Sequence, residues 1–310
     1  MSIIFALDIG GTQIRAATFR RGSTDSLDAR RTPTRGESPA FERICELIQS
    51  MWPDHEAVEK IVLALPGPLN PETGVIFSAP NIPGWKNFPI APELEKRFGV
   101  KVRIGNDANL AALGEWRFGA GQGYRHLLYL TISTGIGGAL VDDGRLLLGE
   151  NGLAAEMGHV TLLPGGPLCS CGQRGHLEAL ASGPAIVRSV QEQLAAGRES
   201  SLAQTKNLTA RDVSDAAAQG DELAIEAIAR AGHFIGQALA GFLHLFNPSI
   251  VILGGGVSLS GRYLFDPIHE SLAQNLMDPI YLKDLTVTKA SLGDNAGLMG
   301  ALALGLLPDN

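Results

Sequence analysis

Twice in this chain an apolar, β-prone run breaks on a cluster of glycines and resumes as a second strand-like run. Ile3 to Leu7 leads into Asp8-Ile9-Gly10-Gly11-Thr12, and Ile14 to Phe19 follows, with basic residues at Arg20 and Arg21. Leu127 to Ile132 leads into Ser133-Thr134-Gly135-Ile136-Gly137-Gly138, and Ala139 to Val141 begins the return strand. A dinucleotide-binding or Walker unit places a helix after its glycines, and neither GxGxxG nor GxxxxGK[ST] is present here. Strand, glycine turn, strand is instead a hairpin. Two such hairpins, each opening a mixed α/β half, imply an internal duplication too diverged to read as a sequence repeat. Two related halves would leave a cleft between them, with a glycine loop from each facing a shared ligand.

Strands and helices alternate through the rest of the chain, which argues α/β. Asp143-Gly144 offers a tight turn into Arg145 to Leu148. Strands are expected over Ile61 to Leu65, ending at Pro66-Gly67-Pro68, over Val100 to Ile104, ending at Gly105-Asn106-Asp107, and over Ile250 to Leu253, ending at Gly254-Gly255-Gly256. Helices are expected over Asn109 to Phe118, Pro184 to Ala196, Ala210 to Gln219 and around Arg262 to Asn275, with a Thr209/Asp212 capping box opening the third. A final helix through Leu306 is expected to be capped by Asp294 or Asn295. The expected division is a small domain of residues 1–118 plus 295–310 and a larger one of residues 119–294, hinged near residues 120–123.

With 310 residues there is material for two separate cores. A net charge of −7 argues against a broad basic face for nucleic acid. It leaves a local phosphate site open, because backbone amides bind anions without Lys or Arg. Ser2 to Asp8 is too short for a signal-peptide core and lacks a basic flank. Ile225 to Phe246 is interrupted by Glu226, Arg230, His233, Gln237 and His244, the pattern of a buried amphipathic helix and not a membrane span. Cys45, Cys169 and Cys171 make a poor disulfide framework. A cytoplasmic protein is expected.

Asp8-x-Gly10-Gly11-Thr12 suits a nucleotide triphosphate: the glycines let backbone N–H groups approach phosphate oxygens, and the Thr12 hydroxyl adds a donor. Asp8 would not face phosphate; it is better suited to orient Mg²⁺ through water. Thr134-Gly135 belongs to the corresponding loop of the second half. Each loop alone reads equally as a tight hairpin, and their recurrence favours phosphate binding. Gly254-Gly255-Gly256 follows a buried strand, where ligands of open α/β sheets gather, and would let adenine and ribose lie against bare backbone.

Phosphoryl transfer to an alcohol needs a carboxylate to take the hydroxyl proton. Asp107, at the end of a strand and the start of a helix, is the candidate base, with Asn106 fixing a neighbouring sugar hydroxyl; the competing reading is that Asp107 only caps the helix. Further on, His159, Cys169, Cys171 and His176 supply four ligands of the types and spacing that suit tetrahedral, structural Zn²⁺. Such a knuckle would stiffen the loop carrying Glu156 and Glu178, both suited to binding sugar hydroxyls.

In this order the motifs resemble those of the ROK family (repressors, open reading frames and sugar kinases). The resemblance runs through Asp8 to Thr12, Leu65-Pro-Gly-Pro68, Ala79-Pro-Asn-Ile-Pro-Gly-Trp85, Asn106-Asp-Ala-Asn109, Ser133 to Gly138, Glu156-Met-Gly-His159, Cys169-Ser-Cys-Gly172 and Leu253 to Val257. It implies a duplicated, actin-like (ribonuclease H-like) ATPase of two α/β domains with a central interdomain cleft. It also implies phosphorylation of a hexose by ATP with Mg²⁺, glucose leading and N-acetylglucosamine, N-acetylmannosamine, mannose and fructose remaining open. A sugar-binding regulator that does no catalysis is the alternative. Asp107 then matches the base. Gly67, Asn81, Asn106, Asp107, Glu156, His159 and Glu178 match sugar contacts, and Asp8, Gly10, Gly11, Thr12, Thr134, Gly135 and Gly254 to Gly256 match nucleotide contacts. His159, Cys169 and Cys171 match zinc ligands, with His176 where the family usually has a third Cys. Repressor members carry a winged helix-turn-helix before the first glycine motif; here Asp8 comes almost at once, so the kinase branch is expected, as a dimer or tetramer.

Overall fold

The computed structural model describes residues 2–79 and 81–308; Met1, Pro80 (within the 79–85 motif), Asp309 and Asn310 lie outside the described residues. The chain forms two compact units. The first takes Met1–Gly123, Leu140–Ala154 and Ser291–Asn310, and the second takes Tyr124–Ala139 and Ala155–Ala290.

The first unit opens with β1 (Ile3–Ile9), β2 (Gln13–Arg20) and β3 (Ser26–Pro33), then α1 (Ala40–Ser50) and β4 (Val58–Leu65). The short strands β5 (Leu69–Asn70), β6 (Val75–Ser78) and β7 (Lys86–Phe88) follow, then α2 (Ile90–Phe98), β8 (Lys101–Asn106) and α3 (Asp107–Phe118). Its main sheet has the order β3-β2-β1-β4-β8, with β1, β2 and β3 antiparallel and β4 and β8 parallel to β1. β1 is apolar from Ile3 to Leu7 because both its faces are covered. Ile3, Phe5, Leu7 and Ile9 join Ile61, Leu63 and Leu65 of β4 in one core, shared with residues of α1 and α2. Ile4 and Ala6 join Val62 and Ala64 in a second core on the opposite face, with Leu110 and Leu113 of α3. The period-two alternation of a strand thus decides which helix layer each residue meets.

The second sheet has the order β11-β10-β9-β12-β13, formed by β9 (His126–Ile132), β10 (Ile136–Asp142), β11 (Arg145–Leu146), β12 (Ile250–Gly254) and β13 (Thr286–Lys289). Its helices are α4 (Leu177–Ala181), α5 (Gly183–Ala195), α6 (Ala210–Ala218), α7 (Glu222–Phe246) and α8 (Arg262–Asn275); α9 (Ala296–Leu306) returns to the first unit. Each sheet is an antiparallel triplet followed by two strands parallel to its first member, so the duplication expected from the hairpins is present in the topology. The Thr209/Asp212 capping box forms, and Asp143 and Gly144 both have positive φ, at 48° and 77°, as a two-residue hairpin requires. α7 starts at an Asp221 cap and ends at Asn247 in the left-handed conformation, with Ala, Leu and Ile along its buried face. Among the described residues no helix is long and apolar enough to cross a membrane.

Three local expectations are corrected. β10 begins at Ile136, not Ala139. The turn is confined to Ser133–Gly135, closed by Ser133 N donating to Gly135 O at 2.8 Å, while Gly138 lies in the strand, a glycine because Met157 packs where a side chain would stand. β11 ends at Leu146, short of Leu148. α9 has no side-chain cap: Asn295 is itself helical, and a 3-10 turn over Gly293–Asn295 feeds directly into the helix.

Candidate functional site

In the first unit the candidate residues sit where parallel strands end. β4 runs out into Pro66-Gly67, and Gly67 holds φ at 82°, with the Ser78 carbonyl occupying the space a side chain would need. β8 ends at Asn106, which is the N-cap of α3: its Oδ1 accepts from Ala108 N at 3.0 Å and Asn109 N at 3.4 Å, and its Nδ2 donates to Gly67 O at 3.2 Å. The capping role that competed for Asp107 therefore falls to its neighbour. Asp107 is the first helical residue, with Oδ1 accepting from Ala108 N at 2.8 Å. Asn81 is exposed and stands against the first glycine loop, its Cβ about 3.1 Å from where a Gly11 side chain would begin.

That loop is tight. Gly10 N donates to Gln13 O at 2.8 Å, Thr34 Oγ1 donates to Gly10 O at 2.6 Å, and Thr12, exposed, accepts through its carbonyl from Thr34 N at 2.9 Å. Asp8 is mostly buried at the loop's entrance. Burial pushes its carboxyl up from the usual range, and the Arg15 guanidinium, paired with it at 2.5 Å, opposes that shift.

In the second unit, Thr134 and Gly256 line one cavity of about 840 Å³, together with Ser133, Gly183, Val257 and Leu259. The structure thus joins the second hairpin turn to the triple-glycine segment, with Val187, Leu208 and Leu259 on the apolar side of the cavity and Gln191, Arg211 and Asp215 on its polar side. Gly254 ends β12, and Gly255, at φ 80°, turns the chain into a 3-10 segment, Gly256–Ser260. Gly135 abuts Glu178, whose Oε2 accepts from Ile136 N at 3.1 Å.

The knuckle assembles as expected. The ligand atoms of His159, Cys169, Cys171 and His176 all lie within 4.8 Å of one another. Cys169 Sγ is 3.6 Å from His159 Nδ1 and Cys171 Sγ is 3.3 Å from His176 Nδ1. A tetrahedron with Zn–S and Zn–N bonds of about 2.3 and 2.0 Å has S···N edges of about 3.5 Å, so the donor set fits that ion. His176 therefore joins the cluster at the position where the family pattern has Cys. His159 turns Nδ1 to the cluster, leaving Nε2 for another partner. Glu178 braces the knuckle: its Oε1 accepts from Ser170 Oγ at 2.6 Å and Cys169 Sγ at 3.3 Å. Burial pushes the Glu178 carboxyl up, but the bonds from Ser170, Ile136 N and Cys169, with His159 nearby, outweigh it and hold it below the usual range. Glu156 is exposed just before the turn Met157–His159, after Ala155, which is held at φ 66°, a left-handed conformation that costs an alanine about 1 kcal/mol.

Residue-by-residue reading missed three groups here. Ser170 and Arg15 bond to predicted site residues, and only Arg15, one strand across from Asp8, had a readable position. Asn109, one turn into α3, carries the one buried side-chain oxygen or nitrogen without a partner among the described residues, its Oδ1; the repeated asparagine of Asn106-Asp-Ala-Asn109 was the available signal.

The ROK family model matches residues 4–306. The chain belongs to the ROK family. Its ROK relatives include the glucokinase of Thermotoga maritima, 37% identical over 97% of this chain and 96% of that protein. The N-acetylmannosamine kinase of Citrobacter koseri is 32% identical over 96% of this chain and 97% of that protein. Among solved structures, a ROK glucokinase from Streptomyces griseus, in complex with glucose and AMPPNP, is similar with a TM-score of 0.81 at 33% identity, covering 98% of this chain and 99% of that one. The fold is the two-domain, actin-like ATPase fold of the ROK sugar kinases.

Proposed function

We propose that this ROK protein is a glucokinase: it transfers the γ-phosphoryl group of ATP to the 6-hydroxyl of glucose. The broader part of the reading, an ATP-dependent sugar kinase, is supported by family membership and by the glucokinases among its relatives, at 35–37% identity. Glucose itself is the finer step. The observation that carries the mechanism is Asp107, a carboxylate at the β8–α3 junction whose helix is already capped by Asn106.

In the reaction, a bond forms between the acceptor oxygen and the γ-phosphorus as the bond from the γ-phosphorus to the β,γ-bridging oxygen breaks, and ADP leaves. Asp107 takes the hydroxyl proton. Gly67, Asn81, Asn106, Glu156, Glu178 and His159, the last through Nε2, orient the sugar. Backbone N–H groups of Gly10, Gly11, Thr12, Thr134 and Gly135 hold phosphate oxygens, and Gly254, Gly255 and Gly256 border the nucleoside. Mg²⁺, when bound with the nucleotide, neutralises phosphate charge; Asp8, with one carboxylate oxygen left open, suits its water shell. His159, Cys169, Cys171 and His176 would hold Zn²⁺ as a structural cross-link, all four positions being taken by protein. The working protein is proposed to be a cytoplasmic homo-oligomer in carbohydrate metabolism.

The experiment is incubation with Mg-ATP and a panel of glucose, mannose, fructose, N-acetylglucosamine and N-acetylmannosamine, following ADP release. Glucose should give the highest kcat/KM; a clear preference for another sugar reassigns the substrate, and no turnover with any leaves a sugar-binding regulator. Asp107→Asn and Asp107→Ala should lose turnover by at least about 100-fold, the scale of general-base catalysis, while sugar binding stays measurable. Substantial activity in the alanine variant refutes the assignment.

A further inference from the structure

Asp8 stands where the alternation of β1 aims it. Ile4 and Ala6 face the layer of α3 and α9, and Asp8 extends that row, its carboxylate against the first turn of α9. A Cβ on Gly297 would lie 2.5 Å from Asp8 Cγ, and 2.6 and 2.8 Å from its two oxygens. Directly across the β1–β2 ladder stands Arg15. Opposite residues of an antiparallel pair share a face, so their side chains meet. Arg15 Nη2 donates to Asp8 Oδ2 at 2.5 Å, and Nη1 donates to the backbone carbonyl of Asp294 at 2.5 Å. One planar guanidinium therefore ties β1, β2 and the turn before α9 together, which a lysine ammonium cannot do with the same geometry. The second oxygen, Asp8 Oδ1, accepts no bond among the described residues, and it is not one of the buried atoms lacking a partner, so it is open to solvent.

We infer that Arg15 is a positioning residue of the nucleotide site: by holding Oδ2 it fixes the Asp8 carboxylate so that Oδ1 is the oxygen offered to the water shell of the divalent cation accompanying the nucleotide. The inference rests on the proposed reading of Asp8 as the residue that serves the cation. It differs from a direct phosphate contact by Arg15, because both arms of its fork are already engaged within the first unit.

The test measures binding of AMPPNP by calorimetry, with and without Mg²⁺, to the wild type, Arg15→Lys and Arg15→Met, alongside the half-saturating Mg²⁺ for turnover. The factor by which Mg²⁺ strengthens AMPPNP binding is expected to fall about tenfold in Arg15→Met, the scale of a lost charge-assisted hydrogen bond, and about threefold in Arg15→Lys, which keeps the charge but not the fork. Half-saturating Mg²⁺ rises in parallel. Glucose binding, and AMPPNP binding without Mg²⁺, stay within about twofold of wild type, since neither uses the oriented carboxylate. An unchanged Mg²⁺ factor in Arg15→Met overturns the inference, and so does an unchanged factor in Arg15→Lys should the methionine variant fail to fold. Loss of AMPPNP affinity without Mg²⁺ also overturns it, by making Arg15 a phosphate ligand. Asp8→Asn separates the two layers. If that variant keeps its Mg²⁺ factor, the reading of Asp8 fails; if it loses the factor while the Arg15 variants keep theirs, only the role of Arg15 fails.

Discussion

Helix α7 contains three glycines for which the same substitution should have opposite effects. Gly232 and Gly236 are buried on the face that packs against α8. A methyl group on Gly236 would meet Ile268 O at 2.5 Å, Ser271 Cβ at 2.8 Å and Leu272 N at 2.9 Å, where ordinary contact begins at 3.4 Å. One on Gly232 would meet Leu264 O at 2.7 Å and Pro267 Cβ at 3.0 Å. Gly241, five residues further along, is exposed and would meet nothing within 4 Å. Replacing glycine by alanine inside a helix gains about 1 kcal/mol of backbone preference. Overpacking a core costs about 1–3 kcal/mol, and the upper end applies where the obstacle is backbone that no rotamer change can move. Gly241→Ala should therefore stabilise by about 0.5–1 kcal/mol. Gly232→Ala should destabilise by about 1 kcal/mol, and Gly236→Ala by about 2 kcal/mol, because backbone atoms oppose it on two sides. Urea unfolding followed by far-UV circular dichroism reads the order directly from the midpoints at constant slope. A Gly236→Ala midpoint at or above wild type, or a Gly241→Ala midpoint below it, would refute the argument that close backbone approach, not chance, put glycine at these positions.

Two further outcomes follow from electrostatics and metal chemistry. Asp221 caps α7 and also accepts from Ser200 and Ser201; burial pushes its carboxyl up, but the Ala224 and Ser201 N–H groups and the two serine hydroxyls hold it down at about 2. A depressed carboxyl contributes stability that is complete above the unfolded value, about pH 4, and is lost as pH falls through about 2. The difference in stability between wild type and Asp221→Ala, about 1 kcal/mol near neutrality after allowing for solvent screening, should shrink between pH 4.5 and about 2.5; a constant difference over that range excludes the titration. For the knuckle, protein purified without a histidine tag should contain about one zinc per chain, and removing it with a chelator should open residues 160–175 to protease. Metal analysis that finds none rejects the site.

The parts of this structure that were legible in the sequence share a physical cause. β1, β4, β9 and β12 are strands buried on both faces, so their apolar runs stand out from their surroundings, and the glycines that end them mark turns no other residue makes cheaply. β3 escaped notice because it pairs only with β2 and is largely exposed: Ser-Leu-Asp-Ala-Arg-Arg-Thr-Pro has no apolar face to show. The strands β5 to β7, of two to four residues, are too short for any period to register. The grouping of the knuckle's Cys and His was legible because a metal-type cluster is marked by residue types and spacing and not only by hydrophobicity. The cap made by Asn106 and its bond to Gly67 went unread because they depend on where β8 and β4 end. Glu115 shows the limit most clearly. It is fully buried, and its carboxylate accepts from Ala120 N at 2.9 Å, Ser291 Oγ at 3.1 Å and Leu292 N at 2.8 Å. Little in its own helix distinguishes it from a solvated glutamate; two of its three partners arrive from the far end of the chain.

The duplicated topology also explains why so many candidate residues are glycine, asparagine or aspartate. In an open sheet, ligands gather beyond the carboxyl ends of the parallel strands, where successive chains turn away and backbone groups are left without ladder partners. The first unit puts Asp8, Gly67 and Asn106-Asp107 at the ends of β1, β4 and β8, and the second puts Thr134-Gly135 and Gly254 to Gly256 after β9 and β12. Each unit thus arrives independently at one carboxyl edge lined with small and polar residues, from one strand order used twice. The chemistry assigned to the two edges differs because their neighbours differ. On the first, an asparagine takes the helix cap beside the carboxylate proposed as the base; on the second, bare glycine backbone borders a cavity of about 840 Å³ with both apolar and polar walls. If Asp107 is the base proposed above, a substitution that returned the cap to residue 107, such as Asn106→Ala, should set that carboxylate against the helix and lower kcat in the ADP-release assay, even with every glycine of the loops in place.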